Sequence, residues 1–183
     1  LDIAIKAMNA VLGGSFNARI NMNLREEKGW AYGARTLLPN AKQQRPFIVY
    51  APVQTDKTSE SIQEIMRELQ EYVTKAPPTK MEITKVSSDN VRSLPGQFET
   101  QASVANLLAN NIRFDRPDSY IFEYKKQMQN LSPRKVDIAA KQLILPESLT
   151  WIIVGDLNRI ENEIRTLNLG YVQILNPEGQ IIR

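Results

Sequence analysis

The chain has 183 residues, 42% of them apolar and 23% charged, a composition able to build a real hydrophobic core. Lys and Arg total 23 against 20 Asp and Glu, and both Cys and His are missing. That absence excludes disulfides, thiolate zinc sites, Cys nucleophiles, imidazole ligands and Ser–His pairs, and with them most hydrolytic machinery.

A net charge of +3 is too weak for the basic stripe of a nucleic-acid binder. The densest basic run, Lys125–Lys126, follows Glu123 and reads as a solvated helix face. No apolar run reaches the ~18 residues of a membrane-spanning helix. The start, Leu1-Asp2-Ile3-Ala4-Ile5, carries an acid, has no basic leader and lacks Met, so a mature form or an excised piece is expected.

Leu1 to Leu12 has helical apolar spacing, and Gly13-Gly14 is expected to end that helix as a left-handed stop. A second helix should run from Ser15 or Phe16 to Lys28, with Ser15 as N-cap and Phe16, Ile20 and Leu24 on one face. Gly29 closes it. Trp30 to Leu38 and Phe47 to Ala51 read as an antiparallel hairpin, because the polar connection between them is too short for a crossover helix. From Thr58 a long helix buries Ile62, Ile65, Met66, Leu69, Tyr72 and Val73, leaving Glu60, Glu64, Glu68 and Glu71 as a wet acidic face.

Ala76-Pro77-Pro78 breaks this helix, and Thr79 with Glu82 forms a capping box for the next. Pro95-Gly96 is a further break. Helices follow with Ala102, Ala105, Leu108 and Ile112 on an inner face, then from Tyr120 to Met128, then from Ser132-Pro133 with Val136, Ala139, Ala140 and Leu143 facing inward. Leu149 to Val154 reads as a strand buried on both faces. Asn158 to Leu167 is amphipathic, Tyr171 to Leu175 is a last strand, and Gln180 to Arg183 is a tail. No linker or repeat divides the chain. One α+β domain over residues 1–183 is expected, with a mixed or antiparallel sheet packed against several helices.

Gly13-Gly14 before Ser15 fits neither dinucleotide nor P-loop spacing and implies no nucleotide site. Arg25 and Tyr32 are different: helical geometry puts Arg25 in the last turn before Gly29 and Tyr32 just past the corner, where the two can converge. A guanidinium fork and a phenol together can grip a peptide carbonyl or an oxyanion. Spacing alone equally allows, and favours, Arg25 paired with a neighbouring acid and Tyr32 packed with its hydroxyl at the surface.

The run Leu12-Gly13-Gly14-Ser15-Phe16-Asn17-Ala18-Arg19-Ile20, followed by Asn23 to Gly33, resembles a segment of the pitrilysin/insulinase family of zinc peptidases. The likeness continues through Ala51 to Thr55, Leu94 to Thr100 and Val154 to Leu157. The resemblance implies the non-catalytic C-terminal domain, which faces the zinc site of a second domain of the same fold. That partner carries an inverted His-x-x-Glu-His motif.

On this resemblance Arg25 and Tyr32 hold substrate backbone and assist the transition state, and Trp30 packs or lines a pocket. The function implied is a substrate-binding domain of a zinc metallopeptidase acting on extended peptides. In isolation it has no metal or cofactor of its own, zinc being in the partner domain. The alternative is a scaffold domain for protein–protein assembly. Relatives have a strand-rich segment before the first helix, so a truncated domain is expected, from a longer chain. Resemblance to exported bacterial relatives favours a periplasmic over a cytoplasmic location. Neither nucleic acid nor a membrane span is expected.

Overall fold

The structure, a computed structural model, describes residues 2–183. Its centre is α1 (Asp2–Asn9), which buries Ile3, Ala4, Ile5, Ala7 and Met8. A helix apolar nearly all round needs neighbours on several sides. It has α7 (Pro133–Leu143) on one side, and α4 (Lys80–Ser93) and α6 (Tyr120–Gln129) on another. The long α3 (Thr58–Val73) packs on α7 and on α8 (Leu157–Thr166). The core joins Met8, Leu12, Ile20 and Leu24 to Leu69, Tyr72, Val136 and Ala140. Each fully buried large aliphatic here contributes roughly 1.5–3 kcal/mol.

The capping predictions at α4 and α7 hold. Thr79 accepts from the Glu82 N–H while Glu82 reaches back to the Thr79 N–H, and Ser132 accepts from the Lys135 N–H ahead of Pro133. The hairpin is present but short: β1 (Arg35–Leu37) pairs antiparallel with β2 (Ile48–Tyr50), placing Arg35 opposite Tyr50 and Leu37 opposite Ile48. A single bridge, Ala31 to Val53, extends it towards Tyr32. The α+β class stands, with many helices over a small antiparallel sheet.

Several expectations need correction. Leu1 lies outside the described residues, and α1 runs on into a π-helical stretch, Ala10–Gly14. Neither Gly13 nor Gly14 is left-handed. Gly13 is needed for close approach instead: a Cβ there would sit 2.6 Å from Thr36 Cγ2 and 2.7 Å from the Thr36 nitrogen. Ser15 is no N-cap. The second helix begins at α2 (Arg19–Asn21) after an extended Ala18 and becomes π-helical over Met22–Glu27. The four glutamates are not all wet, because Glu64 and Glu68 are half-buried and bonded to Asn23.

The stripe of α5 (Gln101–Arg113) points outward: Ala102, Ala105, Leu108 and Ile112 are exposed, Ile112 by 79%. Leu149 to Val154 forms no strand. Leu149, Trp151 and Ile153 turn inward, while Ile152 and Val154 are 87% and 95% exposed. No segment pairs beside it among the described residues, so an apolar run that suits a two-sided strand is only extended chain. Tyr171 to Leu175 is likewise no regular strand. The expected tail folds back instead, with Ile174 donating to Arg183 (2.7 Å) and Ile182 donating to Ile174 (2.8 Å).

Candidate functional site

The corner joining the π-helical stretch to β1 is built by widened backbone bonds. Lys28 N–H donates to Asn23, and both Trp30 and Ala31 donate to the Leu24 carbonyl, at 2.9 and 3.2 Å. Gly29 makes the reversal at φ +66°, in the left-handed region that glycine enters without Cβ strain. The Gln54 side chain donates to the Gly29 carbonyl, and the Gln54 N–H donates to Trp30. The corner is thereby tied to the chain beyond β2.

This turn brings Arg25 and Tyr32 together. The guanidinium carbon of Arg25 lies 5.6 Å from the centre of the Tyr32 ring and 4.6 Å from that of Phe16. The cation lies over both aromatic rings, a placement favoured by their quadrupoles. Arg25 also meets Glu26 at 3.4 Å. Tyr32 itself is 92% exposed, and its hydroxyl makes no hydrogen bond among the described residues. Half of the competing expectation is therefore met, in the Arg25–Glu26 pair. The packed tyrosine is not found.

Two supporting residues went unnoticed in the sequence. Phe16, a helix-face residue by its spacing, is 65% exposed. Asn21 is buried and bridges the site: its Nδ2 donates to the Phe16 carbonyl (2.7 Å) and its Oδ1 accepts from the Ala34 N–H (2.9 Å). One side chain thus fixes both the loop bearing Phe16 and the chain two residues past Tyr32. A polar residue in the Ile20–Leu24 face was the available signal, since buried amides are nearly always bonded.

The frame behind the site is ionic. Arg19 donates a bidentate pair to Glu82 at 2.7 Å each, donates to the Ala76 carbonyl, and stacks 5.0 Å from the Tyr72 ring. Burial acts to raise the Glu82 carboxyl, but the Arg19 and Thr79 hydrogen bonds outweigh it and hold the group below the ordinary glutamate value. Asn23 donates to Glu64 (2.7 Å) and Glu68 (3.0 Å), which Arg67 also grips. Burial acts to raise Glu64 as well. Arg67, Asn23 and Lys28 reverse that, so it remains a carboxylate. Tyr72 is pushed well up by burial and donates to the Met8 carbonyl. Trp30 packs at the edge of the core with Lys28 and Lys57 over its ring at 5.3 and 5.8 Å.

Zinc sites draw on His, Cys and carboxylate donors. This chain has neither His nor Cys, and no three carboxylates converge among the described residues. Its own residues do not fit that ion. Nor, among the described residues, is any helix long and apolar enough to cross a membrane.

Residues 1–88, which contain the whole Arg25–Tyr32 corner, match the family model described as the peptidase M16 inactive domain. The family expected from the sequence is therefore the one whose model this stretch matches, and residues 89–183 lie outside that match. No curated protein matches the chain. A solved M16 inactive domain from Pseudomonas fluorescens superposes with a TM-score of 0.72 at 21% identity, covering 79% of this chain and 34% of that one. A protease from Helicobacter pylori gives 0.66 at 20% identity, over 76% and 33% of the two chains. The periplasmic protease PqqL from Escherichia coli gives 0.64 at 20%, over 77% and 15%. What these neighbours share with this chain is the fold. The chain spans about a third of the length of the first two.

Proposed function

We propose that this chain is the substrate-binding, transition-state-assisting half of a zinc metallopeptidase. The observation that carries the reading is the exposed Tyr32 hydroxyl, without a hydrogen-bond partner among the described residues, beside an Arg25 guanidinium that lies over its ring. A tetrahedral intermediate needs donors aimed at the oxygen that gains charge, in a frame that does not reorganise. Tyr32 has a free O–H to donate to that oxygen. Arg25 supplies a fixed positive field and holds the neighbouring peptide carbonyl. Gly29, Asn21 and Phe16 keep the pair in place before substrate arrives.

In this reading the metal and the attacking water belong to a partner domain, in the same chain or another. The zinc supplies Lewis acidity there, and the present domain closes over an extended peptide. An exported location is part of the proposal, since one structural neighbour is a periplasmic protease. Tyr32→Phe in the complete enzyme is expected to lower kcat about 10²–10³-fold, the effect of deleting one oxyanion donor, while KM changes little. Unchanged kcat overturns the role. The assembly alternative has one observation in its favour, the outward apolar stripe of α5. It predicts full activity in that variant.

A further inference from the structure

The hairpin carries a second cation–aromatic pair. The Arg35 guanidinium carbon lies 5.3 Å from the Tyr50 ring centre, and the two residues are direct cross-strand partners. Arg35 has no carboxylate partner among the described residues, unlike Arg19, Arg45 and Arg67. Leu37 and Ile48 form the next cross-strand pair on the same face, and both are exposed, as is Tyr50. A sheet face turned to water is ordinarily polar. Here it is a stacked cation next to an aliphatic pair, while Ala34 and Thr36 fill the buried side.

The hairpin follows directly from the Arg25–Tyr32 corner. Tyr32 precedes β1 and is exposed, and its Cα lies within about 11 Å of that of Arg35, three residues on. Arg35 and Leu37, two residues apart, present their side chains about 7 Å apart, the spacing of alternate side chains in any extended peptide.

We infer that the outer face of the β1–β2 hairpin is a subsite for extended peptide substrate, taking an acidic side chain on Arg35 and an apolar one, two residues along, on Leu37 and Ile48. With Tyr50 beside it and no carboxylate partner among the described residues, the guanidinium has donors to spare for two parallel hydrogen bonds to a substrate carboxylate. The subsite rests on the reading that this domain faces peptide. It adds a preference for acid about three residues from the scissile bond.

The test is binding of fluorescein-labelled extended peptides to the complete protein held in a metal chelator so that it cannot cleave them, read by anisotropy at low salt. The peptides carry Glu, Gln or Lys at each of the second to fourth positions on either side of the scissile bond, with a Leu two residues beyond. Glu is expected to bind about two- to fivefold tighter than Gln at one position, the scale of an exposed ion pair. That advantage should disappear in Arg35→Gln, persist in part in Arg35→Lys and become a preference for Lys in Arg35→Glu. Equal affinity for Glu and Gln at every position overturns the subsite, as does a Glu preference that survives Arg35→Gln. Because binding is read without turnover, the two proposals fail separately. Full kcat in Tyr32→Phe with the Glu preference intact removes the transition-state role and leaves the subsite standing.

Discussion

At φ +66°, Gly29 holds a conformation that costs an L-residue roughly 1–2 kcal/mol, and it sits between Arg25 and Tyr32. Gly29→Ala is therefore expected to lower stability by about that amount in urea titration. A larger loss of kcat in the complete enzyme should accompany it, because the corner that aligns Tyr32 relaxes. Asn21 acts from beneath. Asn21→Ala strands the buried Ala34 N–H and frees the Phe16 loop, at a cost of about 1–3 kcal/mol. The Arg25–Tyr32 spacing and Gly29 were legible in the sequence because they lie within one local turn. Phe16 and Asn21 were not, since their contacts close across a loop that neither periodicity nor spacing describes.

Helical periodicity identified α3 and α7 and most of their inward residues, because those stripes have a partner in the chain, while the capping box opened α4. The inner face of α5 and the Leu149–Val154 strand failed for a shared reason. An apolar stripe or run records which residues could be covered, not whether anything covers them. With no buried residue in α5, its backbone bonds should open at low free energy. Hydrogen exchange is expected to be faster over Gln101–Arg113 than over Thr58–Val73 by orders of magnitude, and equal protection would contradict this. The π-helical stretch Ala10–Gly14 was equally hidden, because a pair of glycines reads as a stop. Here Gly13 lets that stretch press against Thr36. Gly13→Ala must displace β1 backbone, and a thermal shift of several degrees is expected, where a left-handed stop would have predicted strain without movement at Thr36.

Across the whole molecule, carboxylates hold the frame behind the site. Asp2, Glu64 and Glu82 all have folded-state pKa values below their ordinary ones, despite burial acting to raise each. Their contribution is complete above the unfolded carboxylate values near ~4 and is lost as pH falls through the lower folded values. Thermal stability should therefore hold from neutral pH to about 5 and drop below about 4, with the drop reduced in Arg19→Gln, which has already lost the Glu82 pair. Under the proposed function the missing His and Cys suit a domain whose metal lies in a partner, and that reading rests on the Arg25–Tyr32 corner. The most direct measurement is single-turnover cleavage by the complete enzyme with Arg25→Gln, Tyr32→Phe and both. Two groups acting on one transition state predict that Tyr32→Phe slows cleavage about 10²–10³-fold and that the double variant is much faster than the product of the single effects implies. Cleavage at the unmodified rate in Tyr32→Phe, or effects that simply multiply, would contradict the account.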